Sequence, residues 1–256
     1  MLNIASMSLS GGQGKTTVAV LLAKYLAEQG SNVLLIDSDP QANATTFLGH
    51  SVESDEPTLL EAIKGTVDIE DAVYETEISN LSLIPADDAL DQVQDWLSSS
   101  GAGAVMLRKR LKPLKSHDIC IMDSPPQRSQ ICKTIIGASD YILMPCESSV
   151  KGFGSMVRTL CAVDELNDIE VSSAQILGVI PFRDRWVGNN RTNESQLCIS
   201  AMEEELDGDA PVFPTIRESE RYKQAISGKT TLKQLGYPDL EYPFEVISDV
   251  IRSIKR

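Results

Sequence analysis

The stretch Ser8-Leu-Ser-Gly-Gly-Gln-Gly-Lys-Thr-Thr17 decides how the rest of the chain is read. A short apolar run, Ile4 to Met7, precedes it. After it, Val18, Leu21, Leu22, Tyr25 and Leu26 recur at helical spacing. Strand, glycine-rich turn and helix in that order form a cradle for a nucleotide polyphosphate. Gly11, Gly12 and Gly14 let backbone N–H groups from Gly12 through Gln13 to Thr17 converge on phosphate oxygens, and the helix N-terminus adds partial positive charge. Lys15 supplies a full charge, and the Thr16 hydroxyl is placed to ligate Mg²⁺. The pattern G-x-x-x-x-G-K-[ST] is not met in full, because Leu9 stands where its first glycine belongs. The paired Gly11-Gly12 points to the deviant form of the loop. At about 7% glycine, Gly-Gly-x-Gly-Lys-[Ser/Thr] arises by chance in roughly one chain of this length per thousand, so a turn that binds nothing is a poor account.

Outward from the loop, strand and helix signals alternate. Asn32 to Asp37 reads as a buried strand ending in Asp37-Ser-Asp39-Pro-Gln41, and Thr58 to Lys64 as a short helix. Leu81 to Pro85 is a strand, Leu90 to Leu97 a helix, and Ala104 to Lys112 a basic helix stopped by Pro113. Ile119 to Asp123 and Tyr141 to Pro145 are strands, the second followed by a long helix to about Leu166. Then come a strand over Gln175 to Phe182, a helix over Ser195 to Leu206, a short strand Pro211 to Phe213, and a helix from Pro243 to Ile254. Strands apolar on both faces and bounded by helices predict an α/β fold, a doubly wound, mostly parallel sheet with helices on both faces. Ligands then sit at the carboxyl ends of the strands, where Asp37, Asp39, Asp123 and Glu147 lie. No linker divides residues 1–256, so one domain is expected.

Composition narrows the class. The chain is 42% hydrophobic and 23% charged, with no apolar run long enough to span a membrane and no signal-peptide pattern at its start. Five cysteines without a C-x-x-C read as reduced cytosolic thiols. His50 and His117 lack a partnering cluster. The net charge of −14 is uneven: residues 210–256 hold eight Lys and Arg against six Asp and Glu, so a local basic surface survives on an acidic chain.

Three segments together carry a family resemblance: Gly11 to Thr17, Leu35-Ile-Asp-Ser-Asp-Pro-Gln-Ala-Asn43, and Ile121-Met-Asp-Ser-Pro-Pro126. They resemble the motifs of the ParA/MinD family of deviant Walker ATPases, and Pro214 to Ala225 is similar to that family's adenine-side segment. The resemblance implies a slow, partner-stimulated ATPase working with ATP and Mg²⁺ as a homodimer sandwich. It also implies a cytoplasmic, nucleoid-associated protein that binds DNA non-specifically and meets its cargo through an adaptor protein. Asp39 and Asp123 are then metal-side residues acting through water, with Asp39 also orienting the attacking water, and adenine lies against Pro214, Thr215 and Ile216. Asp37 reads equally as a supporting partner or a structural group. Without an evident arginine finger, hydrolysis rests on positioning and electrostatics.

One departure matters. The family has a lysine just before the paired glycines that crosses the dimer to the partner's ATP, and here that position is Ser10. Such a serine is a feature of the family's carboxysome-distribution group. Lys151, at the start of a helix and followed by Gly152 and Gly154, is the candidate replacement; an ion pair with Glu147 or plain exposure are the alternatives. The glycines would permit a partner's close approach. Arg217, Arg221, Lys223, Lys229 and Lys233 are the candidate DNA phosphate contacts, against the alternative of a solvated loop face. The Arg108 to Lys115 run reads as a solvated helix face, and Trp96 and Trp186 as packing residues. Phe244, Ile247, Val250, Ile251 and Ile254 share one helix face, which suits core packing better than a membrane. A plasmid or chromosome partition ATPase, or a ligase of the dethiobiotin synthetase type, are the rival readings.

Overall fold

The computed structural model describes residues 1–228 and 230–255. The first half runs β1 (Leu2–Ser6), α1 (Lys15–Glu28), β2 (Val33–Asp37), α2 (Asn43–Phe47), α3 (Leu59–Lys64), β3 (Tyr74–Glu75), β4 (Leu81–Ile84), α4 (Val93–Ser99), α5 (Gly103–Leu111) and β5 (Ile119–Asp123). The second runs α6 (Gln130–Ala138), β6 (Tyr141–Glu147), α7 (Val150–Asp168), β7 (Gln175–Asp184), β8 (Trp186–Val187), β9 (Asn190–Arg191), α8 (Asn193–Leu206), β10 (Ile216–Arg217), α9 (Glu220–Ser227) and α10 (Tyr242–Ile254). Eight strands form one sheet in the order β10-β7-β6-β1-β5-β2-β4-β3, parallel except where β3 runs against β4. Parallel neighbours need crossovers, and the helices supply them on both faces.

The sheet's two faces explain its sequence. Every residue of β2 and β5 is buried, because α1, α9 and α10 cover one side and α3 to α8 the other. Phe244, Ile247 and Ile251 of α10 are fully buried against α1 and the sheet. Each such side chain contributes roughly 1.5–3 kcal/mol, so the apolar face of α10 belongs to the core. No helix among the described residues is long and apolar enough to cross a membrane.

Register sets the site. Ser6 of β1 pairs with Asp123 of β5, which pairs with Asp37 of β2, so three polar residues line up at the carboxyl edge. The alignment continues into the loops, where the Ser124 N–H donates to the Ser6 carbonyl and the Ser38 N–H to that of Asp123.

Several local expectations change. Helices α2, α6 and α9, the short strands β3 and β10 and the β8–β9 hairpin are additional elements, and Pro211 to Phe213 is a single bridge from Val212 to Val179 rather than a strand. In the basic α5, Arg110 donates to the carbonyls of Ile63 and Lys64 at the end of α3, and Arg108 reaches Asp140 at 3.2 Å. Two of its cations therefore hold the fold together rather than facing solvent alone.

Candidate functional site

Backbone geometry builds the phosphate cradle first. Gly12 and Gly14 take φ of +83° and +90°, values an L side chain strains to adopt. A Cβ at Gly14 would lie 2.6 Å from the Phe182 ring, so the end of β7 presses directly on the loop. Gln13 is fully buried, and its Oε1 accepts from the Glu147 N–H at 2.8 Å, tying the loop to the end of β6. The Ser6 hydroxyl donates to the Lys15 carbonyl at 2.9 Å, fixing the first turn of α1 to β1.

Within this cradle Lys15 is 6% exposed, and its Nζ donates to the Ser10 carbonyl at 3.2 Å. Burial pulls its pKa below the ordinary lysine value, while Asp123 and Asp39 pull it back. Burial, then Asp37, push Asp123 well above the usual carboxylate range, opposed by the Thr16 hydroxyl and Lys15. Both Asp123 oxygens are buried and lack a hydrogen-bond partner of ordinary geometry. An unsatisfied buried carboxylate beside a threonine hydroxyl suits a hydrated divalent cation, and Thr16, Asp39 and Asp123 fit Mg²⁺ in that way. Among the described residues no cluster of three or more His, Cys, Asp or Glu could hold a metal alone. Mg²⁺, which keeps its waters and leans on phosphate, does not need one.

Asp37 resolves toward support. It is fully buried and accepts from the Thr45 N–H and hydroxyl, both at 2.8 Å, and from the Asp39 N–H at 3.2 Å. Burial pushes it up to about 6. It therefore fixes the turn that presents Asp39, whose Oδ1 accepts the Gln41 N–H at 3.0 Å.

The resulting cavity of about 410 Å³ is lined by Gly11 to Thr17, by Asp39, and by Phe182 and Arg183 from β7. A second cavity adjoins it, sharing Thr17, Phe182 and Arg183 and closed by Arg217, Ser219 and Tyr222. The segment expected on the base side, Pro214 to Ile216, lies just beyond this second space. Ile216 is buried in β10, the Thr215 hydroxyl donates to Asp184 at 2.8 Å, and Pro214 and Thr215 line a separate depression with Asp239 and Tyr242. Phe182 and Arg183 line both spaces, and Arg217 the second.

Lys151 lies neither against Glu147 nor free in solvent. Its Nζ donates to the Gly11 carbonyl at 2.9 Å, on the outer edge of the loop, while Glu147 faces Ser149 and Arg183. Gly152 has a different reason from the one expected: a Cβ there would strike the Glu147 carbonyl oxygen at 1.9 Å, so the chain's own turn demands it. Gly154 meets only the tip of Arg158, at 3.4 Å, and stays open.

The candidate DNA residues are divided. Arg217 stacks on Trp186 at 4.0 Å. Arg221 lies over Tyr237 at 4.6 Å, and Lys223 pairs with Glu220 at 2.9 Å. Lys233 is exposed, and Lys229 lies outside the described residues. Trp186 does more than pack: its indole N–H donates to the buried Asp184, which also receives Arg191. The sequence signal for this cluster was weak, since an Asp-Arg-Trp run has no fixed meaning without the fold. Arg183 was missed altogether.

Against known proteins, a family model described as an AAA domain (AAA_31) matches residues 1–172. The chain is similar to the maintenance of carboxysome distribution protein A of Synechococcus elongatus, 49% identical over 248 residues, which is 96% of this chain and 98% of that protein. It is 51% identical over 252 residues to the protein of the same name from Gloeothece citriformis, covering 98% and 97%. A solved structure of Cyanothece McdA in complex with ATP, carrying an aspartate-to-alanine substitution, matches with a TM-score of 0.95 at 51% identity, covering 98% of this chain and 96% of that one.

Proposed function

Because the chain belongs to the maintenance of carboxysome distribution protein A family of ParA-like ATPases, we propose that it dimerises around ATP, binds DNA without sequence preference in that state, and distributes carboxysomes over the nucleoid through an adaptor protein. Lys15 and the loop N–H groups hold the β- and γ-phosphates. Bound Mg²⁺ supplies charge neutralisation on those phosphates, with Thr16, Asp39 and Asp123 as the residues that hold it, the carboxylates through its waters. Asp39, presented by Asp37, orients the attacking water. With so little covalent chemistry offered by the protein, turnover is slow until the adaptor engages.

The observation that carries this reading is the exposed Lys151 ammonium, 2.9 Å from the Gly11 carbonyl. A compact cation on a flexible stem at the rim of the phosphate cavity can swing to a second copy's ATP. It supplies the charge absent at Ser10. A ligase of the dethiobiotin synthetase type would instead need a small carboxylic substrate, and its ATPase activity would respond to that substrate rather than to DNA. A partition ATPase would differ in adaptor and cargo, and in carrying the lysine that this chain lacks at Ser10.

The test is the Lys151→Ala variant. It is expected to bind ATP as the parent does, yet to remain monomeric by light scattering with ATP and Mg²⁺. A variant that dimerises and turns over ATP like the parent removes Lys151 from this role.

A further inference from the structure

We propose that Arg183 is a catalytic arginine supplied within the chain, contacting the phosphates of bound ATP as the terminal phosphoanhydride breaks. The inference rests on the ATPase reading and adds a residue to it. Arg183 follows Phe182 near the carboxyl end of β7 and takes φ of +51°, a left-handed conformation unfavourable for arginine. Backbone strain of this kind persists where the surroundings demand a particular side-chain direction. The direction here is back over the phosphate loop. The Nη1 atom lies 4.0 Å from the point a Cβ on Gly12 would occupy, and the guanidinium sits 5.6 Å from the centre of the Phe182 ring. The residue lines both the phosphate cavity and its neighbour.

Its present partner is weak. Glu147 Oε1 stands 3.9 Å from Nη1, and the Arg183 side chain is 43% exposed. A loose pair of this kind contributes little, so a triphosphate with several negative charges competes well for the guanidinium. Its place over the loop adjoins Glu147, which is tied through its own N–H to Gln13, and its other flank faces the space closed by Arg217 and Tyr222. In hydrolysis a water oxygen bonds to the γ-phosphorus as the bond to the β–γ bridging oxygen breaks. The electron pair stays on ADP, and the water's proton passes to phosphate. Charge grows on the bridging and β-oxygens, and a planar fork of donors over Gly12 meets it there.

The test compares the full-length parent with Arg183→Gln, and with Arg183→Gly, which relieves the positive φ. Three readouts are needed: calorimetric affinity for ATPγS, affinity for ADP with aluminium fluoride, and single-turnover phosphate release. Both variants are expected to bind ATPγS within about threefold of the parent. They should release phosphate at least roughly tenfold more slowly and lose a comparable factor in aluminium fluoride affinity. Unchanged phosphate release overturns the proposal, as does a loss of ATPγS affinity that matches the loss in rate. A parent chain that binds ATPγS but never hydrolyses ATP overturns the underlying ATPase reading, and the proposal with it.

Discussion

The two sides of the nucleotide cleft are held together by different physics. On the phosphate side, positions are set by strand register and backbone conformation. Ser6, Asp123 and Asp37 align because β1, β5 and β2 pair as they do, and Gly12 and Gly14 shape the loop. On the C-terminal side, β10 has two residues and α9 buries only Tyr222, Ala225 and Ile226. That edge depends on side-chain contacts, Arg217 on Trp186 and both Trp186 and Arg191 on Asp184, with Lys24 of α1 buried beneath it, 3.3 Å from the Ala225 carbonyl. Damage to the first side should therefore cost stability and binding together, while damage to the second should be separable.

The largest expected effect breaks the first side. Gly14→Ala combines a positive φ with a 2.6 Å approach to Phe182, and should cost roughly 2–4 kcal/mol and most of the ATP affinity. Gly11→Ala meets nothing within 4 Å and should leave stability within about 0.5 kcal/mol of the parent. Urea unfolding of the pair measures the contrast. Equal costs at the two glycines would mean that the loop is not braced by Phe182.

On the C-terminal side, Arg221→Glu with Lys223→Glu disturbs only exposed contacts, so the fold should survive. DNA binding should weaken on every sequence alike, and the salt slope should shrink by about two per chain. Binding isotherms at several salt concentrations decide it, and an unchanged slope takes these residues out of the DNA surface.

Lys24 offers the smallest and most finely tuned probe. It is 2% exposed, and burial lowers its pKa to about 8, with Glu28 opposing. Below that pH the folded and unfolded chains both hold the proton, so the cost of burying the charge is fully present. As pH rises from about 8 toward 10.5, the folded chain releases its proton first, and the parent gains stability. Lys24→Met should thus be more stable than the parent by about 1 kcal/mol at pH 7, with the advantage fading by pH 10. An advantage independent of pH would show that Lys24 is not charged in the folded state.

The same contrast explains what was legible in the sequence. The gathering of Gly11 to Thr17 and Asp39 at one cavity was legible because a glycine-rich loop between strand and helix has a fixed residue spacing and because Asp39 follows a strand end, as Asp37 and Asp123 close theirs. The buried strands were legible because they are apolar on both faces. Helix α6 was missed although Ser129, which caps it, stands before Ile131, Ile135 and Ile136 at helical spacing. Helix α9 carries too few apolar residues to announce itself. Arg183 had no local signal at all, since its place at the cavity depends on β7 lying beside β6 and on a backbone angle that sequence does not display. The surroundings of Pro214 to Ile216 have the same cause: Ile216 is buried in β10 and the Thr215 hydroxyl is drawn to Asp184.

ATP, rather than ADP, is expected to join two copies across the phosphate loops. This is tested most directly by the mass of the parent protein in light scattering at micromolar concentration, with Mg²⁺ and either ATPγS or ADP. A dimer with ATPγS and a monomer with ADP are expected. A monomer in both, or a dimer in both, would contradict this.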